Sequence, residues 1–158
     1  DVPEGTTVTT ETKNATSVTI LSAYKMTKDG ADAGYCVEVG PTGFGGAVDT
    51  MVGIDSDGKV TGISVISASS ETPGLGGEVD NPKWKSLWPG KTLFDDKGEL
   101  VIQVIKGNVD AQSAQATHQV DGLAGATLTQ NGVNNLLRFW LGENGFAQFL
   151  ANLQKGEA

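Results

Sequence analysis

The sequence predicts an α+β fold in which a twisted antiparallel sheet is followed by C-terminal helices. Segments whose apolar residues alternate with polar ones occupy much of the first half of the chain, and segments with apolar residues three and four positions apart occupy its end. Strands that come first and helices that come last are typical of this fold class. A length of 158 residues suits a single domain with its own core.

Four strands are predicted after a polar, threonine-rich lead-in at residues 1–17, and we expect one domain over residues 18–158. The predicted strands are 18–27, 34–39, 47–54 and 60–66. A turn at 28–30 joins the first two, and a hairpin turn at 55–59 joins the last two. Asp55 and Asp57 in that hairpin turn lack the remaining ligands of a calcium loop, so a plain turn is favoured.

A long loop is predicted at residues 67–92, with one short helix near 82–87. Connections of this length in a compact domain are usually functional or mobile. Trp84 and Trp88 lie within it, either as anchors in the core or as a shield for a ligand. A further strand is expected at 100–105, and a polar stretch at 109–117 that would cover a site.

Two helices are predicted at the end of the chain, and Thr129 is the expected cap of the first. The first helix has its apolar stripe at Val133, Leu136, Leu137 and Trp140, and Gly142 ends it. The second is expected at 144–154, with Phe146, Phe149, Leu150 and Leu153 as its stripe.

Composition excludes several classes of function. The net charge is −8 and no basic run exists, which argues against a nucleic-acid partner and against docking on anionic lipid. One Cys and one His make neither a disulfide framework nor a closed zinc or haem site, so a redox role needs an organic cofactor. We expect Cys36 to be a packed small residue, and no hydrolase motif accompanies His118. We therefore expect no metal site and no catalytic side chain.

The stretch DGLAGATLTQNGV places small residues immediately before a helix. Gly122, Gly125 and Ala126 remove side chains from the approach to the helix start, where unpaired N–H groups and partial positive charge favour a phosphate-sized anion. Thr127 lies at the lip of that site, so its hydroxyl can touch a phosphate or be esterified to one. The alternative, an ordinary loop-to-helix joint, stays open at this point.

The stretch ETPGLG is a second glycine-rich turn. Pro73 stiffens it, and Gly74 and Gly76 permit positive φ on both sides of Leu75, which would push that side chain outwards against a flat aromatic ligand. The alternative is a tight turn that places Leu75 in the core. The third such turn, residues 44–46, either lines the same pocket or connects strands.

The two stretches together, ETPGLG and then VDGLAGATLTQNGV, resemble the FMN-binding domain family. Its members include flavin-bearing subunits of the Rnf electron-transport complex and of the sodium-translocating NADH:quinone reductase. GYCVEV, FGG and VGIDSDGKVTGISV also look like the sheet of the Rnf member, and the likeness covers residues 34–150. The short connections and the form ETPGLG favour the Rnf member over its relative in the quinone reductase.

This resemblance implies covalently bound FMN. In such proteins a separate magnesium-dependent flavin transferase joins the FMN phosphate to the last Thr of Asp-x-x-Ser/Thr-Gly-Ala-Thr. That Thr corresponds to Thr127 here, and Ala124 stands where Ser or Thr is usual, which removes one hydroxyl near the phosphate. The implied FMN contacts are Glu71, Thr72, Pro73, Gly74, Leu75, Gly76, Asp121, Gly122, Leu123, Ala124, Gly125, Ala126, Leu128 and Thr129, around the ester at Thr127.

The resemblance also implies a function. The first interpretation is an electron-carrier subunit of a membrane-bound, ion-translocating ferredoxin:NAD oxidoreductase (Rnf), partnered by other subunits of that complex. The alternatives are the related subunit of the quinone reductase, the flavin-carrying domain of a larger extracytoplasmic reductase, or a module that binds another anion. The domain is expected outside the cytoplasmic membrane, tethered by an N-terminal helix upstream of Asp1, with no independent catalysis.

Overall fold

The larger sheet is a five-stranded antiparallel meander. The computed structural model describes residues 6–8, 21–39, 48–143 and 145–155. The strands pair in chain order and are β1 (Thr6–Val8), β2 (Leu21–Lys28), β3 (Ala31–Val39), β4 (Asp49–Ile54) and β5 (Val60–Ser67). An antiparallel sheet with helices at the C-terminal end confirms the predicted α+β fold class.

The register of the sheet explains why the alternating pattern was informative. Val37 on β3 lies opposite Val52 on β4, and Val52 lies opposite Ile63 on β5, so these side chains share one face. Val37 and Val52 are fully buried, and Ile63 packs against the core. Because successive side chains of a strand point to opposite faces, every second residue of β3 to β5 enters the core.

The N-terminal boundaries differ from the prediction. Thr6–Val8 pairs with β2, so three residues of the predicted lead-in belong to the sheet. The rest of residues 1–17 lies outside the described residues, as do positions 18–20 of the first predicted strand and the glycine-rich turn at 44–46.

The strand predicted at 100–105 is much shorter, which corrects the sequence interpretation. Only β6 (Gln103–Val104) is a strand, and it pairs in parallel with β7 (Gln119–Val120), which the sequence pattern did not reveal. The other edge of β6 is occupied by Asn134, whose side chain accepts a hydrogen bond from Val104 N and donates one to Val104 O, both at 2.8 Å. A side chain thus takes the place of a neighbouring strand.

Three α-helices and two short 3₁₀ helices complete the described fold. They are the 3₁₀ helix Gly76–Asp80, α1 (Pro82–Lys85), the 3₁₀ helix Ala116–His118, α2 (Thr127–Trp140) and α3 (Ala147–Gln154). Helix α2 begins at Thr127, so Thr129 lies inside its first turn and is not the predicted cap. Helix α3 begins later than predicted, and residue 144 lies outside the described residues. None of the helices in the described ranges has the length and apolar character needed to cross a bilayer.

The core lies between the sheet and α2, and it fixes the long loop. Leu137 of α2 is 2% exposed, and burial of such a side chain contributes about 1.5–3 kcal/mol. Trp84 and Trp88 are both buried, with ring centroids 5.3 Å apart in an edge-to-face pair. Both tryptophans therefore anchor the loop that precedes β6 in the core.

Candidate functional site

The turn around Leu75 and the start of α2 line one hollow, which we name the threonine hollow. It has a volume of about 290 Å³ and is lined by Glu71, Thr72, Leu75, Gly76, Gly125, Ala126, Thr127, Leu128 and Thr129. That volume lies at the lower limit of the roughly 300–1,000 Å³ of ordinary ligand sites. Two segments that the sequence pattern indicated separately therefore meet at one place.

Thr127 stands where the helix favours an anion. It is the first residue of α2 and is exposed, whereas Ala126 before it is buried. The N–H of Gln130 donates to Ala126 O at 3.0 Å, so the N–H groups of the three residues before Gln130 have no partner within the helix. These groups and the helix dipole make the surroundings of the Thr127 hydroxyl suitable for a phosphate.

A hydrogen bond within the wall of the hollow joins the two segments. The buried Thr129 hydroxyl donates to Glu71 Oε2 at 2.5 Å, between residues 58 positions apart in the chain. Gly76 lies beside this bond, and a Cβ there would overlap both Glu71 Oε2 and Thr129 Oγ1. Positive φ is found at Gly74 but not at Gly76. Gly76 is thus required by close packing and not, as predicted, by its backbone conformation.

The side chain of Leu75 lies over Gly125. Gly125 has φ of +72°, and a Cβ on it would lie 2.9 Å from Leu75 Cδ2. Leu75 is 42% exposed, which excludes the alternative in which it enters the core. Leu128, on the other side of Thr127, is 83% exposed. Exposed apolar side chains gathered around a hollow are typical of sites that bind a ligand or a partner.

Most of the remaining predicted site residues line a second hollow of about 380 Å³, which we name the lysine hollow. Its lining residues are Gly74, Glu78, Asn81, Lys83, Trp84, Leu87, Asn108, Asp121, Gly122, Leu123 and Ala124. Pro73 is exposed and lines neither hollow. The structure thus divides the predicted contacts between two adjoining hollows.

Asp121 and Gly122 hold the approach to α2 in place. Asp121 accepts a hydrogen bond from Val109 N through its carboxylate and another from Trp84 Nε1 through its carbonyl oxygen, both at 2.8 Å. A Cβ at Gly122 would overlap Ile105 O. Both residues therefore serve first to fix the backbone that leads to Thr127.

Five residues of the lysine hollow were not predicted from the sequence: Glu78, Asn81, Lys83, Leu87 and Asn108. Asn81 caps α1 by accepting a hydrogen bond from Lys83 N at 2.9 Å, and its Nδ2 donates to Glu78 Oε2 at 2.6 Å. The Asn-Pro pair that begins α1 is a helix-start signal and was available in the sequence. Nothing in the sequence placed this helix against the segment before α2.

Charges around the threonine hollow are unfavourable for a free anion. Glu71 is the charged side chain among its lining residues, and no basic side chain lines it. Attraction for a phosphate there comes from the start of α2 alone, which is worth typically about 0.3–1 kcal/mol at an exposed site. Such a site holds a phosphate weakly unless the phosphate is bonded to the protein.

Other candidate residues have structural roles. Burial raises the pKa of the Cys36 thiol, so the thiol is protonated at neutral pH. His118 Nδ1 lies 2.9 Å from Thr92 Oγ1 and lines neither hollow. Asp55 Oδ1 accepts hydrogen bonds from the N–H groups of Asp57 and Lys59, as in an ordinary turn. The described residues contain no cluster of three or more metal-ligating side chains.

The threonine hollow combines glycines, an apolar rim and the start of a helix, an arrangement that suits a ligand with a phosphate group. The sequence of this chain matches the profile of FMN-binding domains over residues 43–142. The chain therefore belongs to the FMN-binding domain family.

The relatives of this chain include NqrC proteins, which belong to the Na(+)-translocating NADH-quinone reductase. Residues of this chain are 76% identical over 88 positions to the NqrC protein of Pseudomonas aeruginosa, covering 56% of this chain and 34% of that protein. They are 44% identical over 139 positions to the NqrC protein of Yersinia pestis, and this match covers 87% of this chain and 51% of that protein. The chain thus spans about half the length, or less, of these curated relatives.

Solved structures agree with this likeness. The crystal structure of Shewanella oneidensis NqrC superposes with a TM-score of 0.78 at 33% identity, covering 97% of this chain and 70% of that one. The crystal structure of the NqrC protein of Parabacteroides distasonis gives a TM-score of 0.64 at 29% identity, covering 82% of this chain and 61% of that one.

Proposed function

We propose that this chain is the FMN-carrying part of an NqrC protein, a member of the Na(+)-translocating NADH-quinone reductase, with FMN joined by a phosphoester to Thr127. The observation that carries the proposal is the exposed Thr127 at the start of α2, in a hollow shared with Leu75. The relatives named above carry the name of the quinone reductase and not that of the Rnf complex. The comparisons therefore favour the quinone-reductase alternative over the Rnf interpretation.

The residues present fit a flavin. Leu75 and Leu128 offer apolar contact to a ring, and the first N–H groups of α2 suit its phosphate. Gly76 and Gly125 let the two segments that line the hollow approach each other closely. Bound FMN supplies one-electron and two-electron transfer, which no side chain of the site can provide. The protein residues bind the coenzyme, orient it and set the charge around it.

An ester at Thr127 would compensate for the weak attraction of the threonine hollow. Ester formation replaces the hydroxyl proton of Thr127 by the FMN phosphoryl group, so it requires an activated phosphate whose leaving group departs. We assign that step to a separate flavin transferase, because the hollow contains no general base beside Thr127 other than Glu71, whose Oε2 is occupied by Thr129.

Partners and location follow from the proposed function. The domain would work beside the other subunits of a membrane redox complex, on the extracytoplasmic side, and would be held there by an N-terminal helix. Its task would be to carry electrons between neighbouring redox centres, with no catalysis of its own.

Covalent attachment is tested by expressing the chain together with a flavin transferase. We expect the intact mass to increase by one FMN less one water, and the protein band to fluoresce after denaturing electrophoresis. Thr127→Ala should abolish both signals and Thr127→Ser should retain them, since serine keeps the hydroxyl. Thr117→Ala, at an exposed threonine outside both hollows, is the matched control. An unmodified Thr127 chain beside an active transferase would refute the ester.

The identity of the complex needs a separate experiment. The full-length gene product should restore Na⁺-dependent quinone reduction in membranes that lack their own NqrC, and Thr127→Ala in the same product should not. Restoration of ferredoxin:NAD oxidoreduction in membranes that lack the related Rnf protein, without restoration of quinone reduction, would favour the Rnf interpretation instead.

A further inference from the structure

The threonine and lysine hollows adjoin each other across one ridge. Along the first segment, Gly74 lines the lysine hollow and Leu75 lines the threonine hollow. Along the second, Ala124 lines the lysine hollow and Gly125 the threonine hollow. The ridge is the contact of Leu75 with Gly125, so a group attached at Thr127 that extends over Leu75 reaches the lysine hollow.

Lys83 is the basic side chain that lines the lysine hollow. Its helix is held firmly, because Trp84 is 7% exposed and its Nε1 donates to Asp121 O. Within the described part of the chain, the Lys83 ammonium has no hydrogen bond or ion pair, whereas that of Lys85, on the same helix, lies 2.6 Å from Asp80 Oδ1. Lys83 therefore offers an unpaired positive charge to the lysine hollow, on the far side of the ridge from Thr127.

We propose that Lys83 faces the polar edge of the flavin ring and sets its reduction potential, with the ring lying over Leu75. This inference rests on the proposed attachment of FMN to Thr127. Reduction adds negative charge to the ring, and a nearby cation stabilises the charged form. The carboxyl groups of Glu78 and Asp121 also line the lysine hollow, and hydrogen bonds from Asn81 Nδ2 and Val109 N hold them against the protein. The Lys83 ammonium has no such partner among the described residues, so it can approach the ring.

The test compares Lys83→Met with Lys85→Met in the flavin-loaded chain. Lys83→Met should shift the ratio of reduced to oxidised flavin about tenfold toward the oxidised form. That shift corresponds to a reduction potential about 30 mV lower for a two-electron couple. The shift should shrink as salt rises, since screening weakens an exposed charge. Lys85→Met should change the ratio less than twofold. Equal shifts in both variants, or none in Lys83→Met, would overturn the proposal.

A second measurement reports the position of the ring without relying on its potential. The indole N–H signal of Trp84 in the magnetic resonance spectrum should move between the loaded chain and the unloaded Thr127→Ala chain, and that of Trp140 should move much less. An unchanged Trp84 signal in a chain whose mass includes FMN would refute the placement and leave the ester intact. A chain that never gains the mass would instead refute the proposed function.

Discussion

Two threonines in one helical turn differ in their surroundings. Thr127 is exposed and makes no hydrogen bond through its hydroxyl to another described residue, whereas Thr129 is 9% exposed and donates to Glu71. The sequence pattern predicted a cap at Thr129, because a polar residue before an apolar stripe usually has that role. The structure instead places it inward, where its hydroxyl holds the preceding loop to α2.

Replacing Thr129 should destabilise the fold most when the hydroxyl that donates to Glu71 is removed. Thr129→Val keeps the shape but leaves the Glu71 carboxylate without its donor, and we expect a loss of about 1–3 kcal/mol in the free energy of unfolding. Thr129→Ser keeps the hydroxyl and should lose less. Urea unfolding of both variants measures the difference. Equal losses would show that the methyl group matters and the hydrogen bond does not.

Gly125 and Gly132 should respond in opposite directions to alanine. Gly125 has positive φ and lies under Leu75, so Gly125→Ala should cost about 1–2 kcal/mol and displace Leu75. Gly132 lies within α2, and its Cβ would have open space, so Gly132→Ala should stabilise by about 0.5–1 kcal/mol. Thermal unfolding of the two variants shows whether each substitution lowers or raises the stability. A stable Gly125→Ala chain would contradict the close approach of Leu75.

At the scale of elements, the alternating strands could be predicted and the short ones could not. Residues 47–54 and 60–66 show period two because one face of β4 and β5 is buried, and that pattern depends on local sequence alone. The apolar run at 100–105 looks like a buried strand, yet its pairing depends on β7 and on the side chain of Asn134, which lie far along the chain. Sequence pattern carries no information about such distant partners.

Asn134 and its neighbour Asn135 make a matched pair for testing this element. Asn134 satisfies the N–H and C=O of Val104, which is 2% exposed, so Asn134→Ala should cost about 2–4 kcal/mol by leaving two buried backbone groups unpaired. Asn135 is exposed on the same helix, and Asn135→Ala should change stability by less than about 0.5 kcal/mol. Denaturant unfolding compares them. Similar losses would mean that the Asn134 hydrogen bonds contribute little.

For the whole molecule, the site depends on segments that the chain brings together only on folding. The likeness of ETPGLG and GLAGAT to a known family indicated that both contact FMN, and the structure places both beside one ridge. Residue chemistry alone suggested each segment but not their proximity. The position of α1 and Lys83 beside these segments could not be predicted from the sequence, because it follows from the burial of Trp84 against the segment before α2.

The net charge of −8 should govern how the unmodified chain meets free FMN. Both carry negative charge, so their association should strengthen roughly twofold as salt rises from about 0.02 to about 0.2 M, because screening reduces the repulsion. Flavin fluorescence titration of the Thr127→Ala chain measures this. An affinity that falls with salt would show that local attraction to a basic group such as Lys83 outweighs the net negative charge of the chain.

The hydrogen bond between Glu71 and Thr129 joins residues 58 positions apart, so the threonine hollow is absent from a nascent or denatured chain. A transferase that must contact both segments would then act after folding and would leave misfolded copies unmodified. The yellow colour of a preparation would in that case report the yield of native molecules as well as the occupancy of the coenzyme.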